Sequence, residues 1–384
     1  MAEKRKVSRV LFVNKFGPTS NAITGQTAGE LAGYLHSQGV DVKFLCINAK
    51  YRSTVKKEAK AAYPVIGIYD FYSGDSAGIR FIMGLIDGFR LFVRSLFIKK
   101  DAVIVMTEPP LLFFWFQLFR WMYRSKLVYY TMDVYPDAFA AGGFIQKKNL
   151  VYRFFKKIVY RKPPDFLIPL GDEQRKFLEE QFRSAIPHAV LPCGVIHEDP
   201  PKTNFSSNGK IVFGYGGNIG AAHDAAFLID FVKQVQPDKH TIILSLYGTK
   251  ADAVKKALTG YDNIIYKDFL SHADIAALDI NIASLLPEWH HISVPSKAVT
   301  AVCCGSVLLL NAGKTSDAWQ MLHKAAWIVE PGIDYRQAIR TFLNEVSKES
   351  ILAKRQEAKR LAAACRQDME QEKRNILTYV ESLS

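Results

Sequence analysis

The sequence has few cysteines and no long apolar run. Its five cysteines are scattered over 384 residues and form no C-x-x-C pair. This usage argues against a disulfide framework and against a zinc site, and it is typical of a reducing compartment. No stretch reaches the roughly 20 apolar residues that a membrane-spanning helix needs. Residues 10–13 are too few for the apolar core of a signal peptide, so we expect neither feature.

Low-complexity tracts and internal repeats are absent, whereas apolar and basic residues are abundant. Hydrophobic residues make up 49% of the chain and aromatic residues 12%, which is typical of a folded globular protein. The net charge of +13 is unevenly distributed. Residues 1–200 carry 29 Lys and Arg against 18 Asp and Glu, and residues 201–384 carry 21 against 19. The first half is therefore expected to face an anionic surface.

Short apolar runs alternate with helical stretches in both halves of the chain. The predicted strands of the first half are residues 10–14, 42–46, 101–106, 127–131, 166–169 and 189–192. Those of the second half are residues 211–215, 241–246, 263–266, 280–283 and 307–310. This alternation indicates βαβ units and parallel sheets. We predict an α/β protein with two Rossmann-like, doubly wound domains that face a cleft.

The predicted domain boundary is a polar segment rich in Pro, Ser and Gly at residues 198–210. Such composition is typical of a linker. It separates a predicted N-terminal domain, residues 1–197, from a predicted C-terminal domain, residues 211–365. Residues 366–384 are charged, lack Pro and Gly, and are predicted to form a C-terminal helix.

Two loops of the second half have the composition of phosphate-binding loops. The first, FGYGGNIG at residues 213–220, leaves a strand, and the second, VPSK at residues 294–297, opens a helix. Glycines let the backbone approach a diphosphate closely, and a helix N-terminus favours negative charge. Ligands of doubly wound sheets bind at the carboxyl ends of the strands, where both loops fall. The sequence therefore predicts a site for a nucleotide-linked substrate.

The chemistry of such a site follows from the charge of its ligand. A diphosphate leaving group gains negative charge as its bond to a sugar breaks. The backbone N–H groups of residues 217–220, the N-terminus of the following helix and the Lys297 ammonium could stabilise that charge. Ser296 could donate to a phosphate oxygen, or it could cap its helix. Lys297 could alternatively be a solvated surface residue.

Three stretches of the first half have the composition of membrane-binding helices. Residues 86–100 and 150–162 each place apolar and aromatic side chains on one helical face and Arg or Lys on the other. Between them, residues 111–119 are apolar all round. Basic amphipathic helices with aromatic faces lie in the plane of an anionic membrane. The alternative is that these faces pack on the sheet of an α/β domain.

Five short motifs occur in a particular order along the chain. They are GQT at residues 25–27, DVYPD at 133–137, LPCGV at 191–195, YGGNIG at 215–220, and PSK at 295–297 followed by CG at 304–305. With these motifs the chain resembles the retaining glycosyltransferases of family 4, which have the GT-B fold. Within them it is similar to the branch that builds bacterial surface polysaccharides on a lipid carrier. The resemblance covers nearly the whole chain.

The resemblance implies a reaction and a location. The expected enzyme is a hexosyltransferase that moves a sugar from a nucleotide-sugar donor to a lipid-linked glycan acceptor, with retention of configuration. It works without a metal or other cofactor and binds as a peripheral protein at the cytoplasmic face of the inner membrane. The first domain would bind the acceptor and the anionic membrane, the second would bind the donor, and the C-terminal helix would return toward the first domain.

The resemblance also implies roles for particular residues. The implied catalytic residues are Asp133 and Lys297, and Glu108 and Asp137 are expected on the acceptor side. Asp133 could instead be a turn residue, and Asp137 could cap a helix. The implied donor-binding residues are Gly25, Gln26, Gly217, Asn218, Ile219, Gly220, Ser296, Lys297 and Thr300.

Departures from the family pattern leave alternatives open. Thr300 stands where many members have a ribose-binding glutamate, and Ala221-Ala222-His223 replaces a basic residue after the glycine loop. His223 could partly substitute for it, although a lone histidine is more often structural. An inactive homologue that serves as a membrane-docked assembly partner therefore stays possible.

Two other function classes are disfavoured. The glycines of residues 214–220 resemble the G-x-G-x-x-G of nicotinamide oxidoreductases, but that fingerprint needs an acid at the end of the next strand, and residues 242–248 offer none. The basic charge alone suggests nucleic acid. Because the aromatic residues there have helical spacing, we expect no nucleic-acid partner.

Overall fold

The computed structural model describes residues 7–48, 60–71, 77–200, 209–332 and 334–383. The chain forms two compact units. The first unit comprises Met1–Cys193 together with Glu370–Ser384, and the second comprises Gly194–Met369. The predicted linker includes residues 201–208, which lie outside the described residues.

The first unit contains a six-stranded sheet in which all neighbouring strands are parallel. Its strands are β1 (Arg9–Val13), β2 (Asp41–Ile47), β3 (Val65–Ile68), β4 (Ala102–Val105), β5 (Lys126–Tyr130) and β6 (Phe166–Ile168). The strand order is β3-β2-β1-β4-β5-β6. This order reverses between β1 and β4, and ligands of such sheets bind outside the carboxyl ends at that point.

Helices connect the strands of the first sheet. They are α1 (Ile23–Ser37), α2 (Ala77–Leu96), α3 (Leu112–Leu118), α4 (Asp137–Ala141), α5 (Leu150–Val159) and α6 (Asp172–Phe182), with a short 3₁₀ turn at Arg120–Met122. Strand β4 and most of helix α3 are fully buried, because parallel strands covered on both faces carry continuous apolar runs.

The second unit repeats this plan. Its strands are β7 (Ile211–Asn218), β8 (His240–Tyr247), β9 (Ile264–Tyr266), β10 (Ile280–Ser284), β11 (Val307–Asn311) and β12 (Ala326–Ile328). They are parallel, and their order is β12-β11-β10-β7-β8-β9. The order reverses between β7 and β10, so the equivalent ligand position lies at the carboxyl ends of those two strands.

The helices of the second unit vary widely in length. They are α7 (Ala225–Gln234), α8 (Ala251–Ala257), α9 (His272–Ala277), α10 (Ser296–Cys303), α11 (Asp317–Leu322), α12 (Tyr335–Glu345) and α13 (Lys348–Glu381), with 3₁₀ turns at Pro287–Trp289 and His323–Ala325. The last part of α13 belongs to the first unit. There Ser8 Oγ donates to the Val380 carbonyl, and the Tyr379 ring stacks on Phe166.

The predicted two-domain α/β fold is confirmed, but three strand assignments differ. Residues 189–192 were predicted to be a strand, which is wrong. The segment ends in Pro192, and because proline lacks an N–H it cannot donate to a ladder. The chain here runs beside β6 without forming a strand: Leu167 and His188 form an isolated bridge, and the Ala189 and Leu191 N–H groups donate to the Leu167 and Pro169 carbonyls. Strands β3 and β12, edge strands of four and three residues, were not predicted.

Candidate functional site

Lys297 is the second residue of α10, and its side chain ends beside the carboxyl end of β7. Its Nζ donates to Tyr215 Oη at 2.8 Å and to the Asn218 carbonyl at 2.6 Å. Gly217 has a φ of 109°, and a methyl group added there would lie 3.9 Å from Lys297 Nζ. Burial lowers the pKa of Lys297 to about 7. An anionic ligand stabilises the charged form of a lysine in such surroundings, because the ligand's charge offsets the cost of desolvating the ammonium.

The glycine loop, residues 213–220, is hydrogen-bonded to the end of β8 and packs on the loop that follows it. Ile219 donates its N–H to the Tyr247 carbonyl at 2.7 Å, and its side chain is fully buried in the core. The Asn218 side chain fills the space beside Gly248, where a methyl group would clash with its Oδ1. Gly248 also has a φ of 101°, which favours glycine. The Ile219 N–H was predicted to bind the donor, but in the structure it has this other partner.

Lys250 holds the segment that follows the glycine loop. Its Nζ donates to the His223 carbonyl at 2.6 Å and to the Ala221 carbonyl at 3.2 Å. Its N–H donates to the Ile219 carbonyl at 3.1 Å. Burial lowers the pKa of Lys250, and the Asp224 carboxylate opposes that shift. A second ammonium group is therefore fixed beside the loop in which the sequence lacks a basic residue.

His223 bridges the same segment to the end of β10. Its Nδ1 lies 2.6 Å from the Ser284 carbonyl, and Ser284 Oγ accepts from the Asp224 N–H at 3.0 Å. The Leu286 N–H donates to the Ala222 carbonyl at 2.9 Å. The loop after β7 and the loop after β10 are thus hydrogen-bonded to each other at the position where the strand order reverses.

Helix α10 begins with the predicted PSK motif. Its N-cap is Pro295, and Ser296 is its first residue. The Ser296 hydroxyl therefore does not cap the helix, which was the alternative to donor binding. Thr300 Oγ1 donates to the Gly194 carbonyl at 2.9 Å. Gly194 has a φ of 87°, and a methyl group there would lie 2.6 Å from the Ser296 carbonyl oxygen. The Thr300 hydroxyl thus holds Gly194 against α10.

The helix that follows the glycine loop differs from the expected anion site. Helix α7 begins at Ala225, five residues beyond Gly220, and its N-cap is Asp224. The Asp224 carboxylate accepts from the Phe227 N–H at 3.0 Å. Because a carboxylate already occupies this N-terminus, the helix offers an anionic ligand less than the sequence suggested. The two ammonium groups are the principal positive charges of the loop.

The first unit carries acidic groups at its own reversal point. Glu108 follows β4, and its carbonyl accepts from the Lys15 N–H after β1 at 2.7 Å. Burial, together with the nearby Asp133 carboxylate, raises the pKa of Glu108 to about 7, and the Lys15 charge opposes that shift. Lys15 Nζ also lies 3.6 Å from Asp87 Oδ2. The structure therefore brings Glu108 and Asp133 together, as two interacting carboxylates beside one lysine.

Asp137 is the first residue of α4, and its contacts are with α5. Its carboxylate accepts from the Tyr152 hydroxyl at 2.8 Å, from the Tyr160 hydroxyl at 2.6 Å and from Lys156 Nζ at 3.4 Å. The side chain is almost completely buried. These contacts anchor α5 to the unit. These contacts give Asp137 a structural role, and its acceptor-side role stays a prediction.

Gly25 and Gln26, predicted to bind the donor, lie in the first turns of α1. A methyl group at Gly25 would lie 2.4 Å from the Gly17 carbonyl oxygen and 2.5 Å from Ser20 Oγ. The Gln26 side chain donates to the Ser20 carbonyl at 3.2 Å. Both residues thus hold the loop after β1 against the helix.

The predicted membrane-binding stretches differ in exposure. Helix α3 is buried, because Leu112, Phe113, Phe114 and Phe116 lie in the core. Helices α2 and α5 flank it, and each keeps part of its apolar face exposed. The large exposed apolar side chains of this region include Ile82, Ile86, Phe89, Phe97, Trp121, Phe144, Leu150, Val151 and Phe154. No helix in the described part of the chain is long and apolar enough to cross a bilayer.

No family model matches the chain. It is 26% identical over 231 residues to the probable glycosyltransferase WbjE of Pseudomonas aeruginosa, a match that covers 55% of this chain and 57% of WbjE. The chain thus aligns with little more than half of that relative.

Solved structures resemble the chain over nearly its whole length. Sucrose-phosphate synthase of Thermosynechococcus elongatus gives a TM-score of 0.71 at 12% identity, over 97% of this chain and 100% of that one. Anabaena HepE, solved with UDP and glucose, gives 0.68 at 15% identity, over 98% and 100%. The fold is GT-B.

Two lysines of this GT-B chain were not predicted to contribute to a site. Lys15 comes two residues after β1, and Lys250 comes three residues after β8. Both follow a strand at its carboxyl end, which is where doubly wound sheets bind ligands. That position is the signal that could have identified them from the sequence.

Proposed function

We propose that the protein is a glycosyltransferase that moves a sugar from a nucleotide-sugar donor to a lipid-linked or membrane-proximal acceptor. The observation that carries this proposal is the half-buried Lys297 ammonium, held at the carboxyl end of β7 by Tyr215 and Asn218. A group of this kind stabilises the charge that develops on a departing diphosphate.

The donor proposal rests on the chemistry of the second unit. Lys297 and Lys250 supply positive charge. Among the described residues no side chain caps α10, and the Ser296 hydroxyl at its start can donate to a phosphate oxygen. HepE, with the same fold, was solved with UDP and glucose. A uridine diphosphate sugar is therefore the first donor to test. We propose that the reaction needs no metal, since ammonium groups take the place of a divalent cation beside the phosphates.

The acceptor proposal rests on the first unit. Glu108 and Asp133 form an interacting carboxylate pair, and such a pair can accept a hydrogen bond from a sugar hydroxyl and orient it for transfer. With the motifs of the sequence, this supports a hexosyltransferase of the family 4 type that acts with retention in surface-polysaccharide synthesis.

We further propose that the first unit binds an anionic membrane through α2 and α5, at the cytoplasmic face of the inner membrane. Phe89 packs on Trp115 at 5.0 Å between ring centroids, and Phe155 packs on Phe114 at 4.9 Å. Both helices are thereby fixed on α3. Exposed aromatic residues combined with exposed Arg and Lys are the composition that binds the interface of anionic bilayers.

The donor is tested by a thermal-shift screen with UDP, GDP, ADP and dTDP and their sugars, in Mg²⁺ and in EDTA. A ligand that binds only the folded state raises Tm. We expect one nucleotide series to raise Tm equally in both media, and transfer to a lipid-linked acceptor to follow. Binding without transfer would favour the inactive homologue, and no binding at all would overturn the proposal.

The membrane proposal is tested with phosphatidylglycerol vesicles. Arg153 and Lys157 are exposed on α5, whereas Lys156 points to Asp137 and is left unchanged. Each basic residue near an anionic surface contributes about 1 kcal/mol. The double variant Arg153→Glu/Lys157→Glu should therefore lose most vesicle binding, and Lys255→Glu/Lys256→Glu, on α8 of the second unit, should not. Vesicle binding that survives in the first variant would place the interface elsewhere.

A further inference from the structure

His223 has one ring nitrogen committed and the other open. Nδ1 lies 2.6 Å from the Ser284 carbonyl, so it must carry the hydrogen and donate it. In the described part of the chain Nε2 has no hydrogen-bond partner, and it is not among the polar atoms sealed from solvent. The ring is otherwise buried. The lone pair of Nε2 is therefore directed into an accessible space beside the glycine loop.

The surroundings keep this imidazole neutral. Burial lowers the pKa of His223 to about 3, and the charges of Lys297 and Lys250 lower it as well, against the hydrogen bond to Ser284. The Asp224 carboxylate, next in the chain, accepts from the Phe227 N–H at the start of α7. Nε2 thus remains a hydrogen-bond acceptor at every pH at which the protein is used.

We propose that His223 Nε2 accepts a hydrogen bond from a hydroxyl group of the bound nucleotide sugar and thereby selects among donors. This inference rests on the proposed function. The chemistry of the ligand follows from the charges. Phosphate oxygens carry no hydrogen and would be repelled by the Nε2 lone pair, so they pair with the two ammonium groups. A hydroxyl of the ribose or of the transferred sugar is the donor that fits.

A buried acceptor of this kind discriminates between ligands. A bound ligand covers Nε2 and excludes water from it. When that ligand lacks the hydroxyl, Nε2 is left without a partner, which costs more than the hydrogen bond itself contributes. His223 would thus favour a donor with the correct hydroxyl, and Lys297 would bind the diphosphate of every donor. His223 is a specificity-determining residue in this scheme.

Two substitutions separate this role from a structural one. In His223→Asn the amide nitrogen takes the position of Nδ1 and keeps the bond to Ser284, but no atom replaces Nε2. In His223→Gln the amide reaches the position of Nε2, with its oxygen as acceptor, and the Nδ1 bond is lost. The proposal therefore expects the Asn variant to be impaired and the Gln variant to be partly restored. A structural role predicts the opposite order.

The measurement is calorimetric Kd for UDP, UDP-glucose and the other sugars of the series that shifts Tm, with the thermal unfolding of each variant as a control for folding. We expect His223→Asn to weaken binding of the preferred nucleotide sugar about tenfold, the size of one buried hydrogen bond. If UDP alone weakens equally, the hydroxyl is on the ribose; if UDP is unaffected, it is on the transferred sugar.

A deoxygenated donor completes the test. The analogue that lacks the recognised hydroxyl should bind wild-type protein about tenfold more weakly and bind His223→Asn no more weakly than the parent sugar does. Wild-type affinity in His223→Asn would overturn this inference and leave the transferase standing. If wild-type protein bound no nucleotide sugar, the proposed function itself would fall.

Discussion

The two units have the same sheet and opposite chemistry. Each sheet reverses its strand order at an equivalent position, between β1 and β4 in the first unit and between β7 and β10 in the second. At the first position two carboxylates, Glu108 and Asp133, interact beside one lysine. At the second, Lys297 and Lys250 are held by backbone carbonyls. The shared topology determines where a ligand binds, and the loop residues determine its charge.

The two positions also perturb their key groups in opposite directions. Burial raises the pKa of Glu108 and lowers the pKa of Lys297, so that both pKa values come to about 7. In each case burial disfavours the charged form. The acidic position therefore favours a neutral, hydroxyl-bearing ligand, and the basic position favours an anionic one. The following predictions test this contrast.

Replacement of Lys297 should have the largest effect. Lys297→Met removes the ammonium that we propose to bind the diphosphate, so we expect nucleotide affinity and transfer each to fall by about 10²-fold or more. Because the folded-state pKa of Lys297 lies below its ordinary value, its contribution to stability is lost as pH falls through about 7. The variant should therefore gain Tm, most clearly below pH 7.

The matched control for Lys297 is an exposed lysine of the same unit. Lys256→Met on α8 should leave UDP binding and transfer unchanged. Calorimetry with UDP and thermal unfolding at pH 6 and pH 9 measure both effects. Normal UDP affinity in Lys297→Met would remove this lysine from the donor site.

The corresponding change in the first unit should affect transfer and leave nucleotide binding unchanged. Glu108→Gln removes an ionisable partner of Asp133, and the loss of a proton-accepting group at the acceptor costs about 10²-fold in rate. Protonation of Glu108 stabilises the fold below its ordinary pKa, and that contribution is lost as pH rises through about 7. Glu108→Gln should therefore raise Tm at pH 8 to 9.

An exposed glutamate provides the control for Glu108. Glu180→Gln on α6 makes the same change of charge at an exposed position outside the site. This variant should behave as wild type in every assay. The decisive comparison is the rate of sugar transfer against the Kd for UDP. A variant at Glu108 that lost both equally would contradict the separation between an acceptor unit and a donor unit.

The pH dependence of UDP binding above pH 7 should depend on the protonation of Lys297 and not on that of Glu108. The second pKa of a phosphate is about 6, so above pH 7 the nucleotide no longer changes its charge, whereas Lys297 loses its proton. Affinity for UDP should fall by up to tenfold per pH unit above pH 7, with uptake of a proton on binding. Glu108→Gln should show the same profile, and Lys297→Met a flat one. A flat wild-type profile would contradict the pKa of Lys297.

The sequence was sufficient to predict the fold and the two loops, but not the contacts between them. The periodicity of apolar residues and the spacing of glycines are local signals, and they located β7, the glycine loop and the start of α10. Three contacts depend on residues far away in sequence. The partner of Ile219 is 28 positions away, and Gly194, the partner of the Thr300 hydroxyl, is 106 positions away. The partners that position Lys250 are 27 to 31 positions away. Asp137 shows the same limit, since only packing revealed its tyrosine partners.

The smallest effect is expected from the glycine that accommodates Asn218. Gly248 and Gly260 have similar φ values, 101° and 89°. A methyl group at Gly260 would meet nothing within 4 Å, whereas one at Gly248 would clash with Asn218 Oδ1. Gly260→Ala should therefore cost only the backbone strain, about 1 kcal/mol of unfolding free energy. Gly248→Ala should cost about 2 to 3 kcal/mol, because the asparagine must also move.

Urea unfolding measures the difference in unfolding free energy between the two variants. UDP binding shows whether the displacement of Asn218 also affects the donor site. Since the Asn218 carbonyl accepts from Lys297 Nζ, a displaced Asn218 shifts the ammonium, and Gly248→Ala should weaken UDP binding several-fold. Gly260→Ala should not change it. Equal UDP affinity in both variants would mean that the loop after β8 supports the fold but not the position of Lys297. The basic position would then depend on Tyr215 and burial alone.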